Sequence, residues 1–101
     1  MPLSTAEKKQ YRAIAHSLKP IIIIGDKGLS EGLIEELQRA LHDHELIKVK
    51  INAGERDDRA PIAEELCKQT GADLVQKIGK VLVLFRKNPK PNPKLSNLLR
   101  A

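Results

Sequence analysis

The chain has 101 residues, a net charge of +5 at neutral pH and one cysteine, Cys67. A chain of this length forms one domain around one hydrophobic core. A single cysteine excludes an internal disulfide bond and a cysteine-based zinc cluster. The N-terminal residues are polar and the longest apolar run, residues 81–85, has only five residues, which predicts neither a signal peptide nor a membrane span. We therefore expect a cytoplasmic protein with no membrane partner.

The positive charge is concentrated towards the ends of the chain. Residues 86–101 contain five basic residues and no acidic ones, so residues 1–85 carry thirteen charges of each sign and are neutral. The first 19 residues also have a basic excess. A polyanion would therefore bind a local cluster of cations and not a uniformly positive surface.

The first predicted element is a basic amphipathic helix. Ser4 and Glu7 have the spacing of a capping box, and apolar residues then recur with a helical period until Pro20 stops the helix. On a helical wheel the basic side chains form one flank beside the apolar stripe. This flank consists of Lys8, Arg12, His16 and Lys19.

A strand, a glycine loop and a helix N-terminus follow within residues 21–30. Four isoleucines predict a buried strand, and Ser30 is placed to cap the next helix. Free N–H groups and the helix dipole make such a junction favourable for anions. The loop between them is Gly25, Asp26, Lys27 and Gly28. The same loop is also typical of an ordinary turn with positive φ, and both interpretations remain open from these residues.

The middle of the chain alternates further helices and strands. A second helix ends near residues 42–44, and residues 46–51 form a strand with Lys48 and Lys50 on its polar face. A third helix ends at Gly71.

The last two predicted strands form a hairpin. They cover residues 72–78 and 81–85, joined by a turn with Gly79 at its first central position. The order α-β-α-β-α-β-β predicts an α/β fold, a single two-layer domain over residues 1–87 in which crossovers pair parallel strands. Whether the first helix covers part of the second sheet face stays open.

Residues 88–101 form a basic tail rich in proline, asparagine and lysine. This composition predicts an extended or disordered segment. Its leucines offer a possible contact for a protein partner.

Features of catalytic and cofactor sites are missing from the sequence. Gly28 is followed by Leu29 where a P-loop has Lys-Ser or Lys-Thr, and a dinucleotide-binding fold would need a third glycine. His42 and His44 point in different directions on a helix end, which does not suit a metal. We expect no enzyme, no cofactor, no metal and no small-molecule substrate.

The aromatic residues are only Tyr11 and Phe85. Proteins that stack bases on a sheet use several exposed aromatic side chains. If the chain binds a nucleic acid, we expect it to contact backbone and shape.

A resemblance to a known family covers residues 4–87. It rests on two stretches, LKPIIIIGDKGLSEGLIEELQRALHDHELIKVKI and RAPIAEELCKQTGADLVQKIGKVLVLFRK. They resemble the CRM domain (chloroplast RNA splicing and ribosome maturation) in its small stand-alone bacterial, YhbY-like form. The resemblance implies a four-stranded mixed sheet in the order 1-2-4-3 packed with helices, like the C-terminal domain of translation initiation factor three. It also implies RNA binding, with ribosomal RNA in precursors of the large ribosomal subunit as the partner and no DNA specificity.

The resemblance places the family's RNA-binding loop at Gly25, Asp26, Lys27 and Gly28. Asp26 departs from the family, whose loops commonly have Asn, Lys or a small residue there. We expect the loop to act together with Lys8, Arg12 and Lys19. Weaker candidates for RNA contact are Lys48, Lys50, Arg86 and Lys87. The alternative function is a protein-interaction adaptor that docks on a ribosomal protein or assembly factor.

Overall fold

A computed structural model describes residues 3–25, 29–52 and 56–98 of the chain. Within these ranges the helices and strands follow the predicted order. The helices are α1 (Thr5–Ala15), α2 (Glu31–His44) and α3 (Arg56–Thr70); the strands are β1 (Ile22–Ile24), β2 (Leu46–Ile51), β3 (Asp73–Ile78) and β4 (Val81–Phe85). None of these three helices has the length and apolarity needed to cross a bilayer.

The strands form one mixed sheet in the order β1-β2-β4-β3. Strand β1 is parallel to β2, whereas β4 is antiparallel to both β2 and β3. This confirms the α/β class and the order that the family resemblance implies. The expectation that each crossover pairs neighbouring parallel strands holds only for β1 and β2. Strand β4 lies between β2 and β3, which run in the same direction without touching.

The main core lies between one sheet face and helices α2 and α3. Alternate residues of a strand share a face, so β2 contributes Ile47, Val49 and Ile51, each at most 1 % exposed. Leu37 of α2 and Leu66 of α3 are fully buried against them. Burying an aliphatic side chain of this size stabilises the fold by about 1.5–3 kcal/mol. This face therefore holds the sheet and two helices together.

Helix α1 packs on the opposite face of the sheet. Its Ala15 belongs to a second buried cluster with Leu46, Val83 and Phe85. The rings of Tyr11 and Phe85 stack with their centroids 4.7 Å apart. The domain therefore has a partial third layer and not the expected two, because the apolar stripe of α1 is buried on the face that α2 and α3 leave free.

The predicted helix caps are present. Ser4 and Glu7 exchange hydrogen bonds between side chain and backbone, both of 3.1 Å, which completes the capping box. The Ser30 hydroxyl accepts a hydrogen bond from the Leu33 N–H at 3.2 Å. Helix α1 ends at Ala15, earlier than the predicted end near Lys19.

The tail segment, residues 88–98, lies against the domain, in contrast to the extended or disordered segment expected from its composition. The Glu45 carboxylate, 5 % exposed, accepts hydrogen bonds from the fully buried Ser96 hydroxyl at 2.7 Å and the Asn88 N–H at 3.0 Å. Asn97 donates to the Leu46 carbonyl, and Leu98 packs on the α1 cluster. Hydrogen bonds from polar side chains hold this segment on the domain. The hydropathy of the sequence does not indicate such contacts, so the composition predicted disorder.

Candidate functional site

Helix α1 leaves part of its sheet face uncovered, and we call this area the open platform. Strand register aligns its side chains in two rows across the sheet. The row nearer the glycine loop is Ile23, Lys50, Val81 and Ile78. The second row is Ile21, Lys48 and Gln76, with Val83 between the last two buried in the cluster under α1. Lysines of the second strand thus stand among aliphatic residues contributed by its neighbours.

A groove of about 510 Å³ runs between α1 and the open platform. Its floor includes Val81 and Val83, and Arg12, His16 and Lys48 lie on its walls. The charged side chains that the structure places on these walls are all basic. A groove of this kind attracts anionic groups, because low-dielectric walls concentrate the field of the cations.

The neighbouring hollow extends the same basic surface. It is lined by Lys19, Ile21 and Lys48, so Lys48 belongs to both depressions. We call Arg12, His16, Lys19 and Lys48 the basic strip. Other hollows carry acidic residues among their lining, such as Glu7, Glu45 and Asp73 beside the tail segment. The basic strip is therefore a local cluster, as the neutral charge of residues 1–85 requires.

The structure brings together several residues predicted for the site. Arg12 and Lys19, on the predicted basic flank, both lie beside Lys48. Lys48 was expected to be a weaker candidate, but it lies at the centre of the strip. Lys50 is one row nearer the glycine loop, and exposed Lys8 lies one turn before Arg12 on α1.

Gly25 follows the last residue of β1 and is exposed. It is not one of the glycines with positive φ, and a Cβ atom at this position would have no atom of the described residues within 4 Å. Neither backbone strain nor crowding among the described residues therefore accounts for a glycine at this position. Asp26, Lys27 and Gly28 lie outside the described residues.

Two other candidates lie elsewhere. The Arg86 guanidinium donates to the Thr70 carbonyl at 2.8 Å, to the Gln38 carbonyl at 3.0 Å and to the Gln38 side chain. Burial lowers the pKa of Arg86 from its usual value. Arg86 thus joins α2 to the end of α3. Lys87 is exposed and lines the hollow that contains the acidic residues named above.

Sequence reasoning missed the roles of Glu45 and Arg86. Each contacts residues about half a chain away, and neither belongs to a periodic pattern or a turn motif. His44, considered as a possible metal ligand, has its Nδ1 2.8 Å from the Leu95 carbonyl. In the part of the chain that the structure describes, no three His, Cys, Asp or Glu side chains converge as metal ligands.

Comparison with known proteins agrees with the resemblance of the sequence to the CRM domain. The family model for the CRS1/YhbY (CRM) domain matches residues 3–86. A protein of Pseudomonas aeruginosa named as a probable RNA-binding protein is 55% identical over 100 residues, which are 99% of this chain and 96% of the relative. A Haemophilus influenzae protein named as an RNA-binding protein is 42% identical over 84 residues, covering 83% and 85%.

A solved structure has a similar fold. The solution structure of a Staphylococcus aureus protein, described as a candidate RNA-binding protein, matches with a TM-score of 0.77 and 35% identity. The match covers 87% of this chain and 92% of the other.

Proposed function

The chain belongs to the CRS1/YhbY (CRM) domain family, and we propose on this premise that it is a non-enzymatic RNA-binding protein whose basic strip holds the RNA backbone. One observation carries the proposal: the charged side chains on the walls of the α1 groove are all basic, although residues 1–85 are neutral overall. Phosphate contacts from Arg and Lys supply most of the sequence-independent affinity for nucleic acid.

The strip continues along β2 towards the glycine loop. Lys48 and Lys50 lie two residues apart on one face of the strand, a distance of roughly 6.6 Å. Lys50 pairs with Ile23, which is two residues before Gly25. An RNA backbone that follows the strip would therefore reach the loop after β1. Lys8 extends the same surface on α1.

We propose that the loop takes part through close approach of the RNA backbone. The open space at Gly25 supports this, because a side chain there would occupy the path of a ligand. Lys27 would contact a phosphate and Gly28 would allow a second close approach.

We further propose that the bound RNA is ribosomal RNA in precursors of the large subunit, and that the protein assists ribosome assembly in the cytoplasm. The resemblance to the stand-alone bacterial form of the family supports this choice. Crosslinking in cells followed by sequencing of the attached RNA tests it. Recovery of large-subunit precursor RNA is the expected result, and crosslinks confined to unrelated RNA would contradict it.

The salt dependence of RNA binding tests the basic strip. The test variant is Arg12→Gln with Lys48→Gln. The matched control is Arg39→Gln with Lys68→Gln. These two exposed residues lie on α2 and α3, on the opposite side of the domain, and replacing them removes the same amount of positive charge. The strip variant should lower affinity and reduce the slope of log affinity against log salt by about 0.7–0.9 for each phosphate that the protein no longer neutralises.

The control variant should change affinity little and leave that slope close to wild type. Equal effects of the two variants would mean that the strip is not the binding site. Association with a ribosomal protein without measurable RNA affinity would instead favour the adaptor function.

A further inference from the structure

We propose that the open platform binds unpaired nucleosides of the RNA, with a base or ribose lying on its aliphatic side chains while the basic strip holds the neighbouring phosphates. This inference rests on the proposed function, because it names the class of RNA that the same surface recognises. It goes beyond binding to backbone and shape, which the scarcity of aromatic residues led us to expect.

Large apolar side chains are exposed on the open platform. Ile21, Ile23 and Ile78 are 51%, 60% and 63% exposed, and all three belong to the open platform. Ile21 and Ile23 lie at the β1 edge of the sheet and Ile78 at the β3 edge, so exposed apolar surface spans the platform from edge to edge, and extended apolar surface of this kind marks binding sites. Phosphate contacts do not require apolar residues, since phosphates bind cations and N–H groups. The platform therefore suits a ligand with apolar faces as well as negative charges.

Not every form of RNA exposes the apolar faces of its bases. In a duplex the bases are stacked on one another, so a protein meets mainly phosphates, hydroxyls and base edges. An unpaired nucleotide exposes the apolar face of its base, and its charged phosphate lies close by. The alternation of aliphatic residues with Lys48 and Lys50 along the two rows has the same mixture of properties.

The groove also provides a polar group for a base edge. Gln76 lies on its wall, across the floor residues from Lys48. An amide side chain has both donors and an acceptor, which is what the edge of a base presents. Lys48 lines the same groove, and a lysine can lay its apolar stem along aliphatic neighbours while its ammonium group stays in solvent. A base held in the groove would thus have two hydrogen-bonding side chains in the lining, Lys48 and Gln76.

Charge argues against a second copy of this chain as the occupant. In a two-fold dimer built on the platform, the same surface would face itself. Arg12, Lys48 and Lys50 would then share one interface with the same cations of the second copy, and like charges brought together in an interface cost affinity. RNA neutralises these charges instead.

The test compares two RNA probes of equal length, an unstructured single strand of about 12 nucleotides and the corresponding duplex, by fluorescence anisotropy. The variant Ile23→Thr with Ile78→Thr removes apolar surface and keeps β-branched residues on exposed strand positions. The control is Leu95→Thr, an exposed leucine in the tail segment. Circular dichroism and thermal melting establish that each variant is folded.

Wild type should bind the single strand more tightly than the duplex. The double isoleucine variant should lose about 5- to 10-fold in affinity for the single strand, because aliphatic contacts are weaker than aromatic stacking. Its salt slope should remain that of wild type, since every phosphate-binding cation is kept. Its affinity for the duplex, and the behaviour of the control, should not change.

Unchanged single-strand affinity in the isoleucine variant would overturn the inference even if the Arg12 and Lys48 variant binds more weakly, and the proposed RNA-binding function would stand. Absence of salt-dependent RNA binding by wild type would overturn the proposed function itself. A change in sedimentation behaviour of the isoleucine variant, with RNA affinity unaltered, would overturn the inference too and identify the platform as an interface between copies of the chain.

Discussion

Glu45 offers a direct test of how the tail segment is held. This residue caps the C-terminus of α2 with a φ of +60°, a conformation that L-residues rarely adopt. Its carboxylate accepts hydrogen bonds from the Ser96 hydroxyl and the Asn88 N–H, and all three residues are buried. We predict that Glu45→Ala destabilises the protein and releases the tail segment.

The size of the effect follows from these two hydrogen bonds. A hydrogen bond to a charged acceptor contributes about 1.5–3 kcal/mol, so removing both should cost roughly 3–6 kcal/mol. Glu45→Gln keeps an acceptor oxygen and should cost about 1–2 kcal/mol. Glu45→Gly also removes both hydrogen bonds but relieves the positive φ, so it should be about 1 kcal/mol more stable than the alanine variant.

Urea unfolding followed by circular dichroism measures these differences, and limited trypsin digestion reports the tail directly. Cleavage after Lys94 should accelerate in Glu45→Ala before the domain unfolds. Glu36→Ala, at an exposed position of α2, is the matched control and should change stability by less than about 0.5 kcal/mol. Equal stability of the alanine and wild-type proteins, with unchanged cleavage, would refute the role of Glu45.

Three further predictions concern other sites. Gly25→Ala should leave stability unchanged or raise it by about 0.4–1 kcal/mol, since no atom of the described residues lies within 4 Å of its Cβ position, but it should weaken RNA binding; unaltered RNA affinity would contradict close approach at this residue. Arg86→Lys should lower stability by about 1–3 kcal/mol in urea unfolding while RNA affinity and its salt slope stay at wild type, because lysine cannot reproduce the planar set of donors. Burial, and then the Asp73 carboxylate, raise the pKa of the Cys67 thiol in the folded protein. The thiol of the unfolded chain therefore ionises first as the pH rises, so the free energy of unfolding should fall above about pH 8.5. Iodoacetamide should also modify the folded protein only at a higher pH than the unfolded chain. Identical pH profiles for the two states would contradict this.

Local structure could be predicted from the sequence because it depends on residues close together in the chain. The capping box of Ser4 and Glu7 and the cap at Ser30 join residues three positions apart. Strand β2 has the bounds that the alternation of apolar and basic residues indicates. The turn at Gly79 has the positive φ expected of its position.

The arrangement of the elements was only partly predictable. The periodicity of apolar residues shows which side of a helix is apolar. It does not show on which face of the sheet that side packs. The structure places α1 opposite α2 and α3, and β4 between β2 and β3. The strand order had been implied by the family resemblance alone. Packing decided the position of α1, because its apolar stripe and the free sheet face bury each other.

The candidate site was likewise predictable in part: its local patterns were visible in the sequence, but the contacts between them were not. Local patterns were enough to predict the basic flank of α1, with Arg12 and Lys19, and the alternation that puts Lys48 and Lys50 on one face of β2. Packing of α1 on the sheet was needed to bring Lys48 to the flank across the groove, and folding of the tail segment was needed to bring Ser96 to Glu45, 51 residues away in the chain. Contacts between polar side chains so distant in the chain leave no periodic pattern, since each depends on how two separately folded segments are brought together.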